Sequence, residues 1–205
     1  RGVQFHNGEP FNAHTVKFAF DRAAGEKSTN KDKRTFAALS TQVVDEYTVV
    51  LLNKEVDPDF LFLMGQATAI ITEPKSADTN ATKPVGTGPY VLAGWNKGAS
   101  ITLSQYPAHR QAAAIKLKRA TFKFISDPAA QTAALLSGDL DVFVRVPAYR
   151  SLAQFKANPR FQVIVSGSRA KTILAMNNAR KPLDDVRVRR AISAAVDRKA
   201  VIEGA

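Results

Sequence analysis

The chain has 205 residues, of which 45% are hydrophobic and 23% are charged. This composition is typical of a folded globular protein and excludes an intrinsically disordered chain. No window approaches the roughly 18 uninterrupted apolar residues of a membrane helix, and the zero cysteine count excludes disulfides, thiolate nucleophiles and cysteine-ligated metals.

Lysine and arginine outnumber acidic residues by 29 to 18, so the formal net charge is +11. Such a surplus is found in nucleic-acid-binding proteins. Its densest part, residues 169–205, has nine basic and four acidic residues but no Phe, Tyr or Trp that could stack on bases. We therefore favour a solvated basic face over a nucleic-acid interface.

The first third of the chain predicts a helix, a hairpin and a short helix. The apolar spacing that follows Asn12 indicates an amphipathic helix, capped by Asn12 and ending at Gly25. A polar loop over 26–34 and a strand, tight turn and strand around residues 45–46 come next. Residues 57–59 (Asp-Pro-Asp) can start a short helix that runs through 60–64, with Pro58 at its first helical position, and residues 73–82 are polar and predict a loop.

The remaining two thirds predict alternating strands and helices. Strands are expected over 91–95, 99–106, 120–125, 140–144, 161–165 and 171–177, the first two forming a hairpin around residues 96–98. Helices are expected from Asp127 to Gly138, over 148–157, from Asp184 or Asp185 to 196, and after Asp197. This alternation predicts an α/β fold with a mixed sheet and flanking helices.

Catalytic and metal-binding patterns are missing from the sequence. His6, His14 and His109 have no ligand partner at metal-site spacing, and no Gly-x-Ser-x-Gly elbow is present. Residues 86–90 (GTGPY) lead into a predicted strand, whereas a phosphate loop opens into a helix. The sequence therefore predicts no enzyme, no catalytic residue, no metal and no cofactor.

Four segments, in order along the chain, carry a family resemblance. They are residues 2–18 (GVQFHNGEPFNA and VKF), 84–90 (PVGTGPY), 127–141 (DP, AL and SGDLD) and 183–198 (LDDVRVRRAI and VDR). Together they resemble the family-5 extracytoplasmic solute-binding proteins of ABC importers, which include dipeptide-, oligopeptide- and nickel-binding proteins. Residues 84–90 are the most specific of these matches.

The resemblance implies a two-lobed α/β clamp of the periplasmic-binding-protein type II, with this chain as an incomplete first lobe. Residues 1–85 would form one subdomain of that lobe and 86–178 its core sheet, while 179–205 would begin the crossing into a second lobe. Because family members are longer, the chain is expected to be a fragment of an exported protein whose signal peptide has been removed.

The resemblance also implies a site and partners. A strand ending in Met176, Asn177 and Asn178 would run past the cleft, where Asn amides and a strand edge can bind an extended peptide. The alternative for Asn177 and Asn178 is a turn, since Asn is a preferred turn residue. Gln66 and Ala67 are weaker candidates, on a stretch whose side chains reach the pocket in the family.

The implied protein is periplasmic, binds a small peptide or similar solute and delivers it to a membrane ABC permease without catalysis. Nickel chelates, opines or other small solutes are alternative ligands within the family. A basic nucleic-acid-binding module and a hydrolase are the alternatives from other classes. A half-clamp would expose apolar surface, so self-association of the truncated form is a further expectation.

Overall fold

The computed structural model describes residues 1–144, 151–167 and 173–204. The chain forms two compact units, Arg1–Phe124 and Ile125–Ala205, each of which is described by itself. The three-part division at residues 85 and 178 stays a prediction.

The first unit begins with helix α1, Ala13–Ala24. The Asn12 side chain accepts hydrogen bonds from the His14 and Thr15 amides at 3.0 and 3.2 Å, and the Thr15 hydroxyl accepts one from the Asn12 amide. This capping box satisfies amides that have no partner within the helix. Gly25 follows the last turn, so the helix prediction is confirmed at both ends.

Helix α2, Lys33–Ala38, packs beside α1 and starts inside the stretch expected to be a loop. The rings of Phe20 and Phe36 lie 5.3 Å apart, and both residues are buried. With Phe5 and Ala19 they form most of the small core of this unit. Burial of Phe36 compensates for the polar sequence around it, which had predicted a loop.

Strands β1, Leu39–Asp45, and β2, Thr48–Asn53, form an antiparallel pair, which confirms the predicted strand, turn and strand. Helix α1 packs against both strands. The predicted short helix is present as α3, Phe60–Met64, but it starts at Phe60, two residues after the expected Pro58.

A three-stranded antiparallel sheet completes the first unit, in the order β3 (Tyr90–Asn96), β4 (Ser100–Gln105), β5 (Arg119–Lys123). The hairpin turn contains Gly98 at φ +80°, where a side chain would be strained. The predicted hairpin and the third strand are confirmed.

The second unit contains four helices among its described residues: α4 (Pro128–Ser137), α5 (Leu152–Ala157), α6 (Val186–Ala195) and α7 (Arg198–Gly204). The Asp127, Asp185 and Asp197 side chains accept amide hydrogen bonds at the starts of α4, α6 and α7. Gly138 ends α4 at φ +87°. The four helix predictions are confirmed where the structure describes them; residues 148–150 of the second lie outside the described residues.

Three strand predictions in the second unit are wrong. Residues 140–144, 161–165 and 173–177 form no strand, while 171–172 lie outside the described residues. Their apolar side chains stay open to solvent, with Val144 90% and Ile164 80% exposed. An extended apolar segment becomes a strand only when a neighbouring strand pairs with its amides and carbonyls, and no such pairing joins these segments within the described part of the chain.

The α/β class is confirmed, with two small antiparallel sheets and seven helices in the described residues. The second unit buries Leu135 and Phe155, and the Phe155 ring meets Phe161 edge-on at 5.2 Å.

Candidate functional site

Gln66 and Ala67 lie in the first unit, immediately after α3, and both are exposed. Gln66 has an extended backbone, and residues Ala67–Ala69 form a single 3-10 turn in which the Ala69 amide donates to the Gln66 carbonyl at 3.0 Å. Residues 60–72 contain no charged side chain. The side chains of this segment therefore offer an amide, hydroxyls and carbon.

This stretch is held by a loop that sequence reasoning did not connect with it. The Asn30 side-chain amide donates to the Thr68 carbonyl at 2.8 Å, and the Thr68 hydroxyl donates to the Asp32 carboxylate at 2.5 Å. Thr68 itself is half-buried. The separations of 38 and 36 residues explain why no local pattern signalled these contacts.

Met176, Asn177 and Asn178 lie in the second unit and are contiguous in an irregular segment. Met176 is half-buried, whereas both asparagines are exposed. The Asn177 Oδ1 accepts a hydrogen bond from the Ala179 amide at 3.0 Å, and its carbonyl accepts one from the Arg180 amide at 3.1 Å. Asn177 is therefore a turn residue in this structure, and the Asn178 side chain remains the more available of the two amides.

The five candidates fall into two groups on different units: Gln66 with Ala67, and Met176 with its two neighbours. Contact with a solute is still a prediction for each of them.

The GTGPY stretch is a structural turn held by His6. The Gly86 amide donates to the His6 Nδ1 at 3.2 Å, so the proton must be on Nε2, which bonds the Gly88 carbonyl at 2.9 Å. The His6 ring also meets Tyr106 edge-on at 4.9 Å. Strand β3 follows at Tyr90, as the structural interpretation of the motif predicted.

The sequence missed a buried carboxylate at Glu73, within the stretch predicted to be a loop. Glu73 is 1% exposed and accepts hydrogen bonds from the Lys75 and Ser76 amides, both at 2.8 Å, and from the Asn7 side chain at 2.9 Å. Burial acts to raise the pKa of this carboxyl, but the hydrogen bonds from Lys75, Ser76 and Asn7 together hold the pKa below its ordinary value of 4.5. Lys75 also pairs with Glu9, so two contacts fasten the N-terminal segment here.

The basic residues at the start of α6 have partners within the chain. The Arg187 guanidinium pairs with Asp185 at 2.7 Å and holds the pKa of that carboxyl below its ordinary value. The Arg189 Nη1 donates to the Leu183 and Asp184 carbonyls at 2.8 and 3.1 Å. These contacts occupy two arginines of the basic segment.

A cavity of about 530 Å³ lies between the end of α2 and residues 53–58. Its charged lining residues carry both signs: Arg34, Lys54, Glu55 and Asp57. Such a lining selects no single ligand charge.

No three His, Cys, Asp or Glu side chains within the described ranges are grouped so as to hold a metal ion. Among those same residues, none of the helices is both long and apolar enough to cross a bilayer.

Comparison with known families gives one match over the whole chain. The model of the bacterial extracellular solute-binding proteins, family 5 Middle, covers residues 1–205. The glutathione-binding protein GsiB of Salmonella choleraesuis is 28% identical over 208 residues, which are 99% of this chain and 40% of that protein. The chain thus spans about 40% of the length of the curated relatives that it matches.

Solved structures of longer binding proteins also match nearly the whole of this chain. The binding protein MoaA of A. tumefaciens R10, in complex with mannopinic acid, aligns over 98% of this chain and 42% of its own, with a TM-score of 0.82 and 26% identity. Haemophilus influenzae OppA, in complex with the peptide RPPGFSPFR, aligns over 98% of this chain and 44% of its own, with a TM-score of 0.79 and 20% identity. These likenesses confirm the expected first-lobe fold of the periplasmic-binding-protein type.

Proposed function

This chain belongs to the family 5 bacterial extracellular solute-binding proteins, and from that membership we propose that it forms the first lobe of the solute-binding component of an ABC importer. The component binds a small solute outside the cytoplasm and delivers it to a membrane permease. The match of the family model to residues 1–205 carries the proposal.

Transport requires reversible binding and no covalent step, so we propose a binding protein and not an enzyme. Two lobes close around the solute, which favours the closed state by its higher affinity for that state. The periplasm, or the outer face of the membrane, is the compartment in which such a component works.

A small peptide is the ligand that we favour. The exposed stretch at Gln66 and Ala67 is uncharged and offers an amide able both to donate to and to accept from a peptide group. The names of GsiB and the OppA complex point to peptides in two relatives. Opines and nickel complexes, bound by MoaA and by Campylobacter jejuni NikZ, are the alternative solutes.

Native mass spectrometry followed by calorimetric titration tests the proposal. The longest natural protein that contains this chain is titrated with glutathione, trialanine, mannopinic acid and a nickel–histidine complex, each separately. A dissociation constant in the micromolar range or below for one of them supports the proposal. No binding to any of the four, and no co-purified small molecule, would contradict it.

The surplus of positive charge makes nucleic acid the control ligand. Electrostatic binding to phosphates weakens steeply as salt is raised. We expect no binding of a short DNA duplex or single-stranded RNA at physiological salt, because Arg187 and Arg189 are engaged within the chain. Tight binding under that condition would favour the nucleic-acid alternative.

A further inference from the structure

We propose that Asn30, Asp32 and Thr68 are positioning residues, which orient Gln66 and Ala67 toward the bound solute. This inference rests on the proposed function and assigns a role to the 28–32 loop, which does not itself need to touch the solute. The side chains of Asn30 and Asp32 reach Thr68 from the far end of the α1–α2 connection.

The stretch around Gln66 needs such support because it contains little regular secondary structure of its own. Its regular part is one 3-10 turn of three residues, and Ile70 beyond the turn is 67% exposed. The hydrogen bonds of a 3-10 turn have poorer geometry than those of an α-helix. The two contacts at Thr68, one to its carbonyl and one from its hydroxyl, restrict both the backbone and the side chain at the centre of the stretch.

Asp32 bonds the distant Thr68 and makes no side-chain hydrogen bond to its own helix. It occupies the N-cap position of α2, where an aspartate ordinarily accepts a hydrogen bond from a helix amide. Its side chain makes no such bond and accepts the Thr68 hydroxyl instead. A residue that departs from its local preference in favour of a distant contact is typical of a functional position.

The supporting loop is itself organised in advance. The Asn30 Oδ1 accepts a hydrogen bond from the Asp32 amide at 2.9 Å, and the Ser28 hydroxyl accepts one from the Asn30 amide at 3.2 Å. These turns restrain Asn30 and Asp32 through local contacts that do not involve Thr68. A hydroxyl that donates to a carboxylate forms one of the stronger classes of hydrogen bond.

The arrangement also restricts the class of solute contacted here. No charged side chain lies between residues 60 and 72, and one oxygen of the Asp32 carboxylate accepts the Thr68 hydroxyl. Gln66 and Ala67 thus suit the neutral part of a solute, such as a peptide group or a short aliphatic side chain.

Substitution of Thr68 tests the inference in the longest natural protein that contains this chain. T68V removes the hydroxyl and leaves the side chain nearly the same shape, whereas T68S keeps the hydroxyl. With glutathione and trialanine as probes, we expect T68V to raise the dissociation constant about ten-fold, or about 1.4 kcal/mol, and T68S to change it less than two-fold. T102V is the matched control, because it also breaks a threonine hydroxyl contact, that of Thr102 with Thr121 in the first unit.

A double-variant cycle separates positioning from general damage. If Asp32 acts through Thr68, the D32A/T68V protein binds the probes no more weakly than T68V alone. Additive losses would overturn the inference, and so would unchanged affinity in T68V when the wild-type protein binds a probe.

Hydrogen exchange gives a readout that requires no ligand. We expect the peptide covering residues 66–70 to exchange at least five-fold faster in T68V and at the wild-type rate in T68S and T102V. Equal exchange in T68V and wild type would overturn the inference. If the wild type binds no solute, the proposed function fails and the ligand-facing role fails with it, while the exchange result still decides whether the loop holds this stretch.

Discussion

His6 bonds the Gly86–Gly88 turn at three points: its backbone amide donates to the Gly86 carbonyl at 2.8 Å, its Nδ1 accepts the Gly86 amide, and its Nε2 bonds the Gly88 carbonyl. Eighty residues of sequence separate His6 from Gly86. Two segments that carried the family resemblance independently therefore form one structural contact. The first of them supplies the imidazole and the second supplies the turn.

Replacement of His6 is expected to loosen this turn. H6A removes two side-chain hydrogen bonds and leaves a half-buried amide and carbonyl without partners, so we expect a loss of about 1–3 kcal/mol in the free energy of unfolding. Urea unfolding measures this change. H14A is the matched control, since His14 is exposed on α1 and its loss should change stability by no more than about 0.5 kcal/mol. Equal effects of the two variants would contradict the prediction.

Glu73 is expected to give the protein an acid-sensitive component of stability. Its folded-state pKa is lowered, so the charged form stabilises the fold at pH values above 4.5, and this contribution is lost as the pH falls through the folded-state value. We expect the unfolding free energy of E73Q to fall less between pH 6 and pH 3 than that of the wild type. Glutamine also turns a donor toward the donors around it, which lowers stability at pH 6 by about 1–3 kcal/mol.

E26Q provides the comparison for this measurement, because Glu26 is exposed in the loop after α1. An E73Q profile parallel to those of E26Q and the wild type would show that folding does not lower the pKa of Glu73, and it would contradict the prediction.

The Asn12 cap of α1 is expected to stabilise the protein through the hydrogen bonds that its side chain accepts. N12A removes the acceptor for the His14 and Thr15 amides and should destabilise the protein by about 1 kcal/mol. N12S retains a capping oxygen and should lose only a few tenths of that amount. Thermal unfolding followed by circular dichroism distinguishes the two variants, and equal losses would argue against the capping box as the cause.

Asn177 and Asn178 are expected to respond differently to substitution. N177D retains the oxygen that accepts the Ala179 amide and should preserve the turn, whereas N178A removes an exposed amide that we propose contacts solute. We expect N178A to weaken binding of a peptide probe in calorimetric titration by about three- to ten-fold, a range usual for one lost hydrogen bond. Unchanged binding in N178A would assign both asparagines to the turn alone.

The exposed apolar segments of the second unit predict a difference between this chain and a longer protein that contains it. Segments 161–165 and 173–177 leave Ile164 and Ile173 about four-fifths exposed. We expect their amides to exchange rapidly in the 205-residue chain and slowly in the longer protein, where further strands can pair with them.

Sedimentation measures whether these exposed apolar segments cause the chain to associate with itself. The 205-residue chain should associate as its concentration is raised, because exposed apolar surface favours self-contact, and the longer protein should remain monomeric. A chain that stays monomeric at high concentration would contradict the expected self-association.

Local features of the sequence were sufficient to predict the hairpins and every α-helix of the described residues except α2. Asn12, Asp127, Asp185 and Asp197 cap the helices that they were expected to cap, Gly98 lies in the expected hairpin turn, and Gly138 ends α4 as expected. These outcomes depend on hydrogen bonds and steric limits within a few residues, which neighbouring sequence specifies.

Tertiary structure alone decided the features that depend on distant partners. The segments at 140–144 and 161–165 have strand-like sequences, but a strand forms only beside another strand. Three hydrogen bonds join residues that lie 36 to 80 positions apart in the sequence: Asp32 with Thr68, Asn7 with the buried Glu73, and His6 with Gly86. A hydrogen bond of this kind depends on where the folded chain places its donor and acceptor, and no pattern of nearby residues encodes that placement.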